Sequence, residues 1–335
     1  PVPSLLRGFS APVRLEYNYS RGDLRALMSR DDDGFVRWDS AQALAGQVIG
    51  EIEGHLRRGA DAVVDPLLID ACGDLLRDDS LDPAMVAEML NLPSENYLAE
   101  LASQGEGADV DTIHAAREAV RRAIGQALQE PLLETYERLA GTASYAPDAG
   151  QIAARALRNT CLAYLGCADP AHQVLAARQF HSAGNMTDRL AALRVIAWHG
   201  EHAARDATLE QFYADWRHEA LVVNQWLQLQ AAMPDEDALA RVRALMDHEA
   251  FELRNPNKVR ALIGAFSNQN PVNFHRRDGE GYRLLVEVIL ELNTLNPQIA
   301  ARLLGPLTKW RNYVDRRELM RAVLERLAQE PDLSP

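Results

Sequence analysis

Two His-Glu dipeptides, His218-Glu219 and His248-Glu249, are the first places to look for metal-dependent hydrolysis. A zinc peptidase of the H-E-x-x-H type needs two imidazoles one helical turn apart, with the glutamate between them as base. Four residues after these histidines come Val222 and Glu252, so neither dipeptide closes a two-histidine site. His199 and His202 stand three apart in His-Gly-Glu-His, a spacing that could bind a metal. Gly200 and Glu201 read instead as a helix C-terminus, where a cationic histidine complements the dipole. Asp31-Asp32-Asp33-Gly34 has the composition of a calcium loop, but its glycine is at the wrong offset and no glutamate stands at the twelfth position. That run predicts a solvated turn. There is no Gly-x-Ser-x-Gly elbow and no Gly-x-x-x-x-Gly-Lys phosphate loop. The expectation is a chain with no catalytic residue, metal site or cofactor of its own.

The stretch from Arg254 to Tyr313 offers binding rather than catalysis. Asn255-Pro256, Asn270-Pro271 and Asn296-Pro297 each place a side-chain acceptor at an N-cap and a proline at the first helical position. Arg260 then projects from the first of these helices. Gln298 and Arg302 lie four apart, on one face of the third. If those helices face one cavity, two guanidiniums and an amide converge. Guanidinium forks match carboxylates and carbonyl oxygens, as at the C-terminal end of a peptide. The alternative is that both arginines are ordinary surface or salt-bridging residues. His275-Arg276-Arg277-Asp278 reads as a charged turn before the helix that contains Tyr282.

The elements that must position these residues are almost all helical. Leu44, Ala45, Val48, Ile49, Ile52 and Leu56 make one apolar stripe, with Asp39 and Gln42 as a capping box and Arg57-Arg58-Gly59 as a cationic last turn and stop. Asp65-Pro66, Asp82-Pro83 and Asp169-Pro170 repeat the cap-plus-proline start. Asp148 with Gln151 and Asp315 with Glu318 form further boxes, and Leu319, Val323 and Leu327 stack along the last helix. Tyr282 to Leu292 is apolar nearly all round and should lie inside. Short polar links such as Ser103–Asp109 and Gly141–Ala146 make neighbouring helices antiparallel. No tetratricopeptide or ankyrin period recurs. The predicted fold is therefore all-α, an irregular armadillo- or HEAT-like superhelical array of antiparallel helix pairs with a concave face. Val13, Leu15, Tyr17 and Tyr19 alternate at period two and predict a short N-terminal strand or extended segment. A lone strand cannot bury its face, so it either folds back on the helices or pairs with sequence upstream.

Bulk properties narrow the partners. The chain has 335 residues, 47% of them hydrophobic, enough for one large or two ordinary domains. A net charge of −13 argues against nucleic acid, whose phosphates need a basic surface. Cys72, Cys161 and Cys167 form no paired framework and read as reduced thiols, which with the charge predicts a cytoplasmic protein. Cys161 and Cys167 read as small hydrophobes in an apolar helix, and the five tryptophans as dispersed core residues. No run approaches a membrane span. The first residue is Pro1 rather than Met, which predicts excision from a longer polypeptide.

Three stretches then carry a family resemblance: the opening PSLLRGFSAPVRLEY, the middle ALRNTCLAYLG, and the whole of RNPNKVRALIGAFSNQNPVNFHRRDGEGYRLLVEVILELNTLNPQIAARLLGPLTKWRNY. Together they resemble the C-terminal helical domain of the aminopeptidase N family, bacterial zinc-dependent alanyl aminopeptidases of the gluzincin type. The likeness covers essentially the whole chain. It implies that residues 1–20 are a linker or strand remnant of an upstream β-sandwich domain and that residues 21–335 are the helical domain. In that family the domain forms a bowl over the catalytic site, and a zinc-bound water attacks the first peptide carbonyl with a glutamate as base. The zinc ligands, the base and the glycine-rich exopeptidase motif are all missing from this chain. It is expected to be inactive alone, to need no cofactor, and to partner the upstream catalytic and β-sandwich domains and a peptide substrate. The resemblance also implies that Arg260, Gln298 and Arg302 line the substrate cavity. Gln298 would border the pocket for the first side chain, and the arginines would reach toward the peptide beyond the scissile bond. With its inner wall and strand edge unmasked, the isolated piece is expected to self-associate. The competing reading is a free-standing helical-repeat scaffold that binds a protein or peptide in its concave face.

Overall fold

The computed structural model describes residues 2–13, 15–141 and 144–331. The described residues are helical almost throughout and form no β-ladder; a single parallel bridge joins Ala108 to Tyr313. The chain divides into two compact units. One comprises Pro1–Ser94 and Ala115–Gly200, the other Glu95–His114 and Glu201–Pro335.

In the first unit the long Gly34–Arg57 helix packs against Arg21–Arg30 and Pro83–Leu90. Its predicted stripe is real: Leu44, Ala45, Val48, Ile49 and Ile52 are buried. Its start is not where the sequence suggested. Asp33 caps it by accepting from Val36 N, and Asp39 lies nearly two turns inside. The neighbouring aspartates are committed as well, since Arg7 pairs with Asp31 and Asp32 and Gly8 N donates to Asp33 Oδ2 at 2.8 Å. The acidic run is thus a turn, solvated at Asp32, that also docks Arg7 and Gly8. Asp65, Asp82, Asp148 and Asp169 cap as expected, and Gly59 follows the Gly34–Arg57 helix with a φ of 72°. The Ala149–Ala168 helix, which carries Cys161 and Cys167, forms the centre of this unit. It packs on Pro83–Leu90, Gln129–Arg138 and Met186–His199. The three cysteines are unpaired; burial pushes the Cys72 and Cys161 thiols up to about 12.

Among the described residues the predicted strand does not form. Val13, Leu15 and Tyr17 are exposed, and the Tyr19 hydroxyl donates to Pro3 O at 2.8 Å. In the Gly141–Ala146 link, residues 142 and 143 lie outside the described residues.

In the second unit the core gathers around Glu280–Leu295, whose Tyr282, Leu284, Leu285, Val288, Ile289 and Leu292 are buried as its composition required. This helix can sit close because its second residue is glycine: a Cβ on Gly281 would come within 2.2 Å of Phe274 O. The last helix, Arg317–Ala328, turns a different face inward than expected. Met320 and Leu327 are buried while Leu319 is 38% exposed. The Asp315 capping box is absent, because Asp315 pairs with Arg316 instead. Of the tryptophans only Trp226 is fully buried, held by Nε1 donating to Leu209 O at 3.0 Å. Trp38, Trp198, Trp216 and Trp310 are half-buried. No helix among the described residues is long and apolar enough to cross a membrane.

Candidate functional site

Arg260 sits in a helix that changes gauge. Asn255 accepts from Asn257 N at 3.0 Å and Lys258 N at 3.4 Å, with Pro256 at the first position, so the start is fixed as expected. After the four residues Pro256–Val259 the backbone widens into a π-turn over Arg260–Gly264, then returns to α geometry through Ala265–Gln269. Carbonyls that a π-turn leaves poorly matched need other donors. Ser267 Oγ supplies Ile263 O at 2.9 Å, and Asn268 Nδ2 supplies Gly264 O at 2.8 Å. Ala261, Leu262 and Ile263 pack inward, chiefly on Ala220–Ala231, while Arg260 is exposed. Its Nη2 donates to Asn257 Oδ1, 2.5 Å away.

Gln298 and Arg302 belong to Pro297–Leu303. Asn296 caps that helix by accepting from Ile299 N at 3.3 Å. Ile299, Ala300 and Leu303 bury against Glu280–Leu295, which leaves Gln298 and Arg302 on the exposed side. Arg302 lies in the last turn, where the helix dipole favours a cation. Among the described residues neither Arg260 nor Arg302 is in an ion pair, and no hydrogen bond joins Arg260 to Gln298 or Arg302. The sequence predicted three caps of one kind and the structure supplies two. The third Asn-Pro start differs. Asn270 turns its amide inward to donate to Ala231 O and Met233 O, at 3.0 and 2.7 Å, and accepts from Asn273.

The His-Glu dipeptides do not fit a zinc ion. His248 Nδ1 accepts from Ala250 N at 3.0 Å, its ring packs on Tyr213 and Trp226, and Glu249 accepts from the Tyr213 hydroxyl. His218 is exposed, with no second imidazole one turn on. His199 ends the Met186–His199 helix as expected, but burial and Arg121 push its pKa down to about 4, so it is neutral and does not serve the dipole as a cation. His202 is the exposed first residue of His202–Trp216.

The strongest electrostatic feature of the second unit was missed by sequence reasoning. Arg316, 2% exposed, donates through Nε to His275 O, through Nη1 to Asp315 and through Nη2 to Asp111 at 3.1 Å. Arg277 also pairs with Asp111 at 2.6 Å. Asp109, Asp111 and Asp315 bring ligand atoms within 4.8 Å of one another, yet two of the three already accept from arginine, which makes the group an ion-pair network rather than a cation site. Burial pushes the Asp111 carboxyl up, but Arg277 and Arg316 more than offset this and hold it below the usual range. The only hint in the sequence was the charged turn itself. There His275 is buried, shares a hydrogen bond of 2.8 Å with the Tyr282 hydroxyl and stacks 4.3 Å from the Tyr313 ring.

Burial and the nearby Arg316 push His275 down to about 3. The unfolded chain, with an ordinary imidazole near 6.5, therefore binds more protons between about pH 3 and 6.5, and stability falls as pH drops through that window. Each such histidine costs about 2 kcal/mol between pH 6.5 and 5. The buried His199 acts in the same direction, with its pKa near 4. Thermal unfolding should show a midpoint that falls steadily from pH 6.5 to 5, and His275→Asn should flatten that slope. A flat midpoint in the unaltered chain would contradict the buried neutral state.

Three comparisons bear on this arrangement. Residues 21–335 match a family model described as "Domain of unknown function (DUF3458_C) ARM repeats". The chain is 40% identical to aminopeptidase N of Escherichia coli (strain K12) over 336 residues, covering all of this chain and 38% of that protein. It is 41% identical over 340 residues to aminopeptidase N of Caulobacter vibrioides, with the same coverage. Among solved structures, Legionella pneumophila aminopeptidase A in complex with aspartic acid superposes with a TM-score of 0.88 at 32% identity, over all of this chain and 39% of that one. The chain thus spans about two-fifths of the length of the relatives it matches, in their C-terminal region.

Proposed function

The chain belongs to the DUF3458_C family of ARM-repeat domains, and from that premise we propose that it is the C-terminal domain of a zinc-dependent aminopeptidase that removes N-terminal residues from peptides. Its task is to cover the catalytic chamber, limit entry to peptides, and offer Arg260, Gln298 and Arg302 to the bound substrate. One observation carries the reading: a chain 40% identical from end to end to part of an aminopeptidase exposes two arginines that no carboxylate among the described residues neutralises. An exposed guanidinium outside any ion pair keeps its charge and its planar fork for a ligand, and a peptide carboxylate or carbonyl fits that fork.

No described group of side chains here fits zinc, so the metal and the hydrolytic step would belong to other parts of the polypeptide. This chain's contribution is binding, orientation and exclusion of bulk water. The acidic net charge and the unpaired cysteines support work in the cytoplasm, without nucleic acid or membrane as partner. Residues 1–20 would link the helical domain to a preceding β-sandwich.

The test is reconstitution. The chain alone should bind no stoichiometric zinc and hydrolyse no alanyl anilide. Produced together with the upstream catalytic and β-sandwich domains, it should yield peptide hydrolysis that those domains do not achieve without it. Enzyme-like turnover by the chain alone would place the chemistry in the wrong part of the molecule. Equal activity of the upstream domains with and without it would favour an independent scaffold.

A further inference from the structure

We propose that Asn257 is a positioning residue for Arg260, holding its guanidinium in a binding-ready direction without cancelling its charge. This rests on the reading above that Arg260 meets a peptide carboxylate or carbonyl. The contact is between Asn257 Oδ1 and Arg260 Nη2, three residues apart on one helical turn.

Both ends of this contact are anchored. Asn257 is fixed because its own N–H donates to the Asn255 cap. Arg260 is fixed because it opens the π-turn, whose unmatched carbonyls are satisfied by Ser267 and Asn268 and whose next three side chains are buried. A π-turn within a helix is often found at functional sites. Here Arg260 is the first residue of that turn.

The chemical type of the partner matters. Elsewhere in the chain Arg7, Arg277 and Arg316 are held by carboxylates, which neutralise them. Arg260 is held by a neutral amide oxygen. That takes one of five N–H donors and leaves the positive charge and the other four for a ligand. A long side chain that is already oriented loses less rotamer freedom when the ligand arrives, so the restraint appears as affinity rather than as fold stability.

The experiment is a double-mutant cycle in the complete aminopeptidase polypeptide, reading KM for a tripeptide. Asn257→Ala is expected to raise that KM about three- to tenfold on its own and to change it by less than about 1.5-fold in an Arg260→Ala background. Asn257→Asp, which would hold the guanidinium but cancel its charge, should also raise KM. A rise of equal size in both backgrounds, or a fall with Asn257→Asp, would overturn the positioning role and leave Asn257 as a residue of the helix end. If Arg260→Ala raises KM and Asn257→Ala does not, this inference alone fails. If Arg260→Ala itself leaves the tripeptide KM unchanged, the underlying assignment of Arg260 fails and the inference falls with it.

Discussion

Replacing Arg316 with alanine should destabilise the fold by about 3–5 kcal/mol, the range for removing one partner of a buried charge network. The side chain is 2% exposed and serves three acceptors: His275 O, Asp315 and Asp111. Its loss leaves the His275 carbonyl without that donor inside the core, and leaves Asp111 with only Arg277, whose side chain is 71% exposed. An exposed pair is worth about 0–1 kcal/mol, so Arg277→Ala is the control with nearly the same charge change and little effect. Urea titration of both variants separates the two. If Arg316→Ala costs no more than Arg277→Ala, the network is decorative and the second unit is held by its apolar core alone.

For function, the largest expected effect is that of Arg302→Ala in the complete polypeptide. It should raise KM for peptides about ten- to hundredfold, as expected from losing a charge-assisted hydrogen bond worth about 1.5–3 kcal/mol. The KM for a single-residue anilide, which has nothing beyond the cleaved bond, should rise much less. The variant suits this test because Arg302 is exposed and in no ion pair among the described residues, so its removal should leave the unfolding midpoint in place. Equal effects on peptide and anilide would remove Arg302 from the peptide's path.

Much of the helical frame was legible. Asn255, Asn296, Asp65 and Asp82 cap as read, because a cap is decided by an acceptor and N–H groups two or three residues away. The apolar stripe of Gly34–Arg57 and the buried Glu280–Leu295 helix follow from a repeat of 3.6 residues, which any helix must obey. Where the reading failed, a side chain had found a partner other than the expected cap. Asn270 has the same sequence start as Asn255 and Asn296 but is 1% exposed, and two carbonyls at the end of Ala220–Ala231 and just beyond it claim its amide. Asp315 could have capped its own helix but pairs with Arg316. Leu319 was read as part of the inner stack of the last helix, but that helix meets Glu280–Leu295 with Met320 buried and Leu319 exposed.

The candidate site divides in the same way. That Gln298 and Arg302 share a helix face was certain from their spacing. The π-turn under Arg260 was not readable, since it depends on Ser267 and Asn268 bending back to supply carbonyls. Nor could spacing reveal that Asp111 and Arg316, 205 residues apart, would meet. By itself the sequence determined where most helices begin and most of their apolar faces, because those depend largely on contacts within a turn or two. The tertiary structure alone decided which polar side chains are buried, because a buried donor or acceptor must find its partner wherever the fold brings one near.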